Sequence, residues 1–283
     1  MATRRHPTAR QVRLGSELRK LRDAAGLKAT AAATLLGVSS VQMSQIESGI
    51  AGVSEERVRR LAANYACSDD ALIDALVAMA TDRTPGWWEE YRGVLPAAYL
   101  DLAELDHHAT FRHDVAVIHA PGLFQTEDYA RALFSYMNPE FPKSEVEHRV
   151  RHRMERRVVI EGPGPIPYET VIHEAALRIR VAGRSTSCAQ LNRILELSEL
   201  EHISVRVVPF ELDDFAGAGS SMVYVGGAVP RLDTVVRDAP HGTGFVDSEA
   251  QLEHFRMLFR RVQGESLDPG QSRDLIHELV KEL

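Results

Sequence analysis

The sequence predicts an α+β protein in two parts: an all-α domain of five short helices over residues 1–80, then a larger α+β domain over 81–283. Three observations predict it. Apolar residues recur at helical spacing through residues 1–80, with a glycine-centred turn between the second and third segments. A polar Pro-Gly stretch, Thr81-Asp82-Arg83-Thr84-Pro85-Gly86, follows the fifth segment and marks a boundary. Past Pro167, short β-branched runs alternate with helical patterns and bring strands into the second part.

Leu14, Leu18 and Leu21, at i, i+4 and i+7, predict the first helix. The stretch Leu27 to Gly49, LKATAAATLLGVSSVQMSQIESG, reads as two short helices joined by a tight turn at Leu36-Gly37-Val38-Ser39. Glycine takes the positive φ that a β-carbon would penalise. Ser39 then stands at the N-cap, its hydroxyl placed to accept a first-turn amide of the next helix. There Met43 and Ile46 share an inward face, while Ser40, Val41, Gln42, Ser44 and Gln45 point outward, short or amide-bearing and uncharged. Ser54 caps a fourth helix with Val58 and Leu61 inward, and Ala71, Leu72, Ala75 and Leu76 supply a fifth.

In the second part, Glu127–Phe134 and Ser144–Val159 read as helices, the latter dense in arginine. Thr126 caps the first of them, whose leading acids Glu127 and Asp128 favour the positive end of the helix. Glu161-Gly-Pro-Gly-Pro-Ile-Pro167 cannot be helical. Strands are expected at Tyr168–Ile172, Ile203–Val208, Met222–Val225 and Leu232–Val236, in a mixed or antiparallel sheet. Helices are expected at Ala189–Leu200, Ser248–Val262 and Ser272–Leu283.

Charge divides along the same line. Residues 1–66 carry eleven Lys/Arg against five Asp/Glu, a net +6, while the whole chain is −7, which leaves −13 for the remainder. A basic module on an acidic body suits a protein that meets phosphate at one end only. Arg4 and Arg5, near the N-terminus, add to that positive charge. No run of eighteen apolar residues exists, and MATRRHPTARQVRLG lacks the apolar core of a secretory signal. Cys67 and Cys188 form no CxxC, so reduced thiols in the cytoplasm are expected.

Slim polar side chains near a helix N-terminus suit the DNA major groove, where an amide pairs with an adenine edge and a valine meets a thymine methyl. Ser40, Val41 and Gln45 are the candidates for base edges, with Gln42 beside them; Lys28, Ser39 and Ser44 are the candidates for phosphates. The five helices, closed by Gln45-Ile46-Glu47-Ser48-Gly49, resemble the repressor-type helix-turn-helix of the xenobiotic-response-element family, whose x-I-E-x-G ending they match. The resemblance implies double-stranded operator DNA as partner. Two features depart from it. Ala29 stands where relatives place a glutamine or arginine against phosphate, and the loop Ile50-Ala51-Gly52-Val53 carries no basic side chain. Modest half-site affinity follows, and with it a homodimer reading half-sites about 34 Å apart.

The second part carries its own phrases: Gly86-Trp87-Trp88-Glu89-Glu90-Tyr91, Pro121-Gly122-Leu123-Phe124-Gln125-Thr126-Glu127-Asp128-Tyr129-Ala130, Arg153-Met154-Glu155-Arg156-Arg157, His173-Glu174-Ala175-Ala176-Leu177-Arg178 and Val205-Arg206-Val207-Val208-Pro209-Phe210. In this order they resemble the uncharacterised C-terminal domain of actinomycete helix-turn-helix proteins, including WhiJ-like and antitoxin-like regulators. The resemblance implies a transcriptional regulator, often accompanied by a small protein encoded nearby. The C-terminal domain is therefore expected to sense a small molecule or bind such a partner; the alternative is an antitoxin-like protein that sequesters its partner and autoregulates. Trp87, Tyr91, Phe124, Gln125 and Tyr129 mix aromatic bulk with polar tips, the composition of an effector pocket and equally of a sealed core.

Enzymatic chemistry finds no support. His107, His108, His113 and His119 crowd one stretch and His148 lies four residues before His152, but no HExxH pattern or nearby cysteine completes a zinc site. Gly217-Ala218-Gly219-Ser220-Ser221 lacks the lysine of a P-loop and the dinucleotide fingerprint, and no G-x-S-x-G elbow exists. Cys188 stands near a helix start without a visible catalytic partner. No cofactor, metal or membrane partner is expected.

Overall fold

A computed structural model of the chain, which describes residues 7–82, 84–213, 220–239 and 242–283, opens with five helices. They are α1 (Ala9–Ala24), α2 (Ala29–Leu36), α3 (Ser40–Glu47), α4 (Glu55–Asn64) and α5 (Asp70–Thr81). Capping sets most of their starts: Thr8, Ser39, Ser54 and Asp69 each accept a first-turn amide of the helix that follows. Arg4, Arg5, Arg83 and Gly217-Ala218-Gly219 lie outside the described residues.

Leu18, Met43, Ile46, Leu61, Leu72 and Leu76 are at most 2 % exposed and make the heart of the first core. Each contributes about 1.5–3 kcal/mol on burial, as an upper bound. In α5 the buried stripe runs Leu72, Leu76, Val77 and Ala80. Ala71 is exposed there, because one turn at 3.6 residues carries it off the inward face.

A short 3-10 helix at Trp87–Tyr91 precedes α6 (Ala97–His107) and β1 (Phe111–Ala116). A further 3-10 turn at Gly122–Phe124 leads to α7 (Glu127–Met137), α8 (Lys143–Glu155) and α9 (Val158–Glu161). Then come β2 (Tyr168–His173), α10 (Glu174–Arg178), α11 (Gly183–Ser198) and β3 (Ile203–Val208). β4 (Met222–Gly226), β5 (Thr234–Ala239) and β6 (Gly242–Val246) follow, and α12 (Glu249–Glu265) and α13 (Pro269–Glu282) end the chain. By packing, the chain divides into two compact units: Met1–Arg92 with Pro96–Leu105, and Gly93–Leu95 with Asp106–Leu283.

The strands form one six-stranded mixed sheet in the order β3-β2-β1-β4-β5-β6. β1, β2 and β3 run parallel, with Val115 opposite Val171 and Val171 opposite Arg206. The helical crossovers between them, α7–α9 and α10–α11, are long enough to return each strand in the same direction. β4 pairs antiparallel with β1, and β4, β5 and β6 pair antiparallel in sequence. Side chains alternate between two cores. Tyr168, Ile172, Val205 and Val207 pack with Phe124, Tyr129, Ile194 and Ile276. Val115, Val171, Tyr224 and Val235 pack with Leu252, Phe255 and Phe259 of α12.

Several boundaries differ from expectation for local reasons. The run expected as one helix over Ser144–Val159 divides at Arg156-Arg157 into α8 and α9. The helix expected from Ala189 begins at Gly183, where left-handed Ala182 and Gly183, at φ 57° and 85°, redirect the chain. Leu232 belongs to a 3-10 turn started by Pro230, so β5 begins at Thr234. No helix among the described residues is long and apolar enough to cross a membrane.

Candidate nucleic-acid interface

Gly37 ends α2 with φ 76°, and two backbone bonds close the turn: Gly37 N–H to Thr34 O at 3.1 Å and Val38 N–H to Ala33 O at 2.9 Å. This pairing satisfies the last carbonyls of α2 and turns the chain within two residues. Ser39 is extended, and its hydroxyl oxygen accepts from Gln42 N–H at 3.1 Å, which starts α3. Met43 and Ile46, 0 % and 2 % exposed, anchor α3 inward.

The far end of α3 is locked to α1. Arg22 donates through Nε and Nη2 to the two carboxylate oxygens of Glu47, at 2.6 and 3.0 Å, and through Nη1 to Leu27 O at 2.7 Å. The hydrogen bond to Glu47 raises the Arg22 pKa above the ordinary arginine value, against the opposing effect of burial. Gly15 lets the backbones meet: a Cβ there would come within 2.6 Å of the carbonyl oxygens of Ile46 and Glu47. Arg60 of α4 donates to Leu35 O at 2.8 Å and ties down the end of α2.

What remains outward on α3 is uncharged. Ser40, Ser44 and Val41, the last 65 % exposed, face solvent; Gln42 and Gln45 are half-buried. The only ionisable side chain of α3, Glu47, is turned inward to Arg22. Six of the seven residues expected at DNA thus lie on α3 and its cap. Lys28 is exposed at the N-cap of α2, with no side-chain cap bond. The Arg22–Glu47 pair was not foreseen. A signal for it existed: an acid in the last turn opposes the helix dipole, so Glu47 needed a partner elsewhere.

The second unit centres on a buried charge network. Arg112 of β1 donates to Asp114 Oδ1 at 2.9 Å, Asp114 Oδ2 at 3.0 Å and Asp106 Oδ1 at 2.5 Å. Arg156 donates through Nε and Nη2 to Asp106 Oδ2, at 2.8 and 2.6 Å. The Tyr168 hydroxyl donates to Asp114 Oδ2 at 2.6 Å. All four ions are at most 5 % exposed. Two positive and two negative charges satisfy one another within the core.

Residues 99–278 match the model of a family described as a domain of unknown function, DUF5753. The chain belongs to that family. Residues 13–76, from α1 into α5, match a helix-turn-helix domain. The curated proteins and the solved structures give no match to the chain. A helix-turn-helix domain followed by a DUF5753 domain is the make-up of a DNA-binding regulator.

The five residues considered for an effector pocket fall in both units. Trp87 and Tyr91 belong to the first and meet edge to face, ring centroids 6.0 Å apart. Phe124, Gln125 and Tyr129 come together in the DUF5753 part. Phe124 is fully buried and meets Tyr168 edge-on at 5.1 Å. The Tyr129 hydroxyl accepts from Ala120 N–H at 3.2 Å, and burial raises its pKa. Gln125 donates to Ala120 O at 2.8 Å and accepts from Arg153 and Arg157 through its side-chain and main-chain oxygens. This trio packs into the core on the α11 side of the sheet.

The histidines scatter. His107 and His108 meet edge-on, His113 stacks on Phe259 at 4.4 Å, and His152 is buried. Among the described residues no three His, Cys, Asp or Glu side chains gather as a metal-ligand set.

Proposed function

We propose that the protein is a sequence-specific transcriptional regulator that reads operator DNA with α3 in the major groove. The observation that carries this reading is the outward face of α3: polar, slim, free of charge, and held by Met43, Ile46 and the Arg22–Glu47 lock. Ser40, Val41 and Gln45 read base edges, with Gln42 alongside. Ser39, Ser44 and Lys28 hold phosphates, and Lys28 sits where the uncapped amides of α2 also favour an anion. Few side-chain clamps surround α3, which favours a homodimer on two half-sites. The DUF5753 part carries a regulatory rather than enzymatic role, through a small molecule or a small partner protein, in the cytoplasm where its DNA lies.

Selection from a random duplex library with the full chain, at moderate ionic strength, tests the reading. The expected outcome is one enriched motif, repeated about one helical turn apart and lost in a Val41→Glu variant. Recovery of random sequence alone would overturn it.

A further inference from the structure

In the DUF5753 part, β4, β5 and the start of α12 border an open cleft of about 500 Å³, with Arg237 exposed at its edge. That volume lies within the roughly 300–1,000 Å³ of small-molecule sites. Met222, Phe255 and Leu258 line it with apolar surface, and the first two are 2 % and 8 % exposed. Arg237, Ser220, Gln251 and His254 add the polar groups, and the His254 ring meets Phe255 edge-on at 5.7 Å.

Arg237 is the one permanently charged side chain of the lining. Its Nη2 donates to Ser220 Oγ at 2.7 Å, and its guanidinium lies 5.6 Å from the centre of the Phe255 ring. Both partners are neutral, and among the described residues no carboxylate pairs with it. An arginine oriented by neutral neighbours keeps its fork of donors for a carboxylate. α12 adds to this. The hydroxyl of its N-cap, Ser248, donates to Gln251 Oε1 at 2.6 Å instead of capping an amide. The first-turn amides of this long helix, next to the lining residues Ala250 and Gln251, therefore receive no cap from Ser248. Glu249, the acid of that turn, is exposed and does not line the cleft.

We propose that this cleft binds a small amphipathic carboxylate, its apolar body on Met222, Phe255 and Leu258 and its carboxylate on Arg237 and Ser220. That occupancy shifts operator affinity rests on the regulator reading above; occupancy itself does not.

Calorimetric titration of the full chain tests the site, with octanoate and 1-naphthoate as probes and octanol and 1-naphthalenemethanol as neutral counterparts. At least one carboxylate is expected to bind once per chain, its alcohol about tenfold more weakly, since a bond to a charged group is lost. Arg237→Gln should weaken the carboxylate about tenfold and leave the alcohol unchanged. Ala250→Trp, at an exposed position on the rim, should abolish both while the unliganded variant melts with the parent. No saturable heat with either carboxylate, or affinities untouched by both variants, overturns the proposal. A chain that binds a carboxylate in this way yet selects no DNA motif overturns the regulator reading and leaves the cleft standing.

Discussion

Buried arginine serves the two units differently. In the first, Arg22 meets Glu47 through two bonds, both side chains 8 % exposed, and also donates to the exposed Asp23 at 2.6 Å, which places the pair close to water. That pair fixes one end of α3 and leaves the outer face of the helix without charge. In the second, Arg112 and Asp114 of β1 close a network with Asp106 and with Arg156 just past α8, and Tyr168 of β2 adds its hydroxyl. Burial works against the Arg112 charge, but Asp114 and Asp106 outweigh it and hold the guanidinium above its ordinary pKa. A rim pair orients a functional helix and opens at moderate cost. A sealed network cannot lose one member without stranding an opposite charge in low dielectric.

The largest effect should come from the network. Arg112→Met leaves Asp106 with Arg156 alone and Asp114 with only the Tyr168 hydroxyl, and about 3–5 kcal/mol of second-unit stability should go, read as the shift in a denaturation midpoint at constant slope. A loss under about 1 kcal/mol would mean that water reaches the network and that the contrast between the units is illusory. Glu47→Gln keeps the shape of the first-unit lock and removes its charge. About 1–3 kcal/mol of stability should be lost there, with weaker operator binding as the end of α3 loosens. Unchanged stability and binding would show that Gly15, Met43 and Ile46 hold α3 without the ion pair.

The same contrast explains what was legible in sequence. The helix-turn-helix is local: Gly37, Ser39, Ser54 and the leucine spacing each act within a few residues, so all five helices could be read in order. β1 could not. In Phe-Arg-His-Asp-Val-Ala the alternating Arg112 and Asp114 look like a solvated face, yet they form the buried one, because their partners lie in α6 and beyond α8. β6, Gly242–Val246, holds two glycines in five residues and is a strand only because β5 pairs with it. α6, too, has no strong stripe, and its Asp106 makes sense only with Arg112 in view. The outward face of α3 could be read, whereas the lock behind it joins residues 25 apart in sequence.

Smaller effects belong to the outer face of the first unit, where nothing is buried deeply enough to unfold it. Gln45→Ala should cost about 1–3 kcal/mol of binding at one base position and almost nothing in folding. Affinities across an operator-variant panel decide it; a uniform loss at every position would place Gln45 on phosphate. Lys28→Ala should do the reverse, weakening all sequences alike and reducing the slope of log K against log salt by about one. A loss confined to one sequence would make Lys28 a base reader.

The two units should also part company in acid, and this is the gentlest test of the contrast. Burial lowers the pKa of His113 below its ordinary 6.5, with Glu169, 4.0 Å away, pulling the other way. Burial also lowers His119, helped by the charge of Arg153. A base with a depressed pKa stays neutral in the fold while the unfolded chain takes up a proton. Its stabilisation is complete above 6.5 and fades as pH falls through the lower, folded value. In the first unit burial raises the pKa of Asp101 and Glu104, so their contribution runs the opposite way: full below their ordinary values and lost as pH rises past the folded ones. Moving from about pH 7.5 to 5.5 should therefore weaken hydrogen-exchange protection in β1 more than in α1. His113→Phe keeps the stack on Phe259 and removes the proton site, so it should shrink that difference. Equal loss of protection in β1 with or without the imidazole would move the acid sensitivity of the second unit to His119 or to its carboxylates.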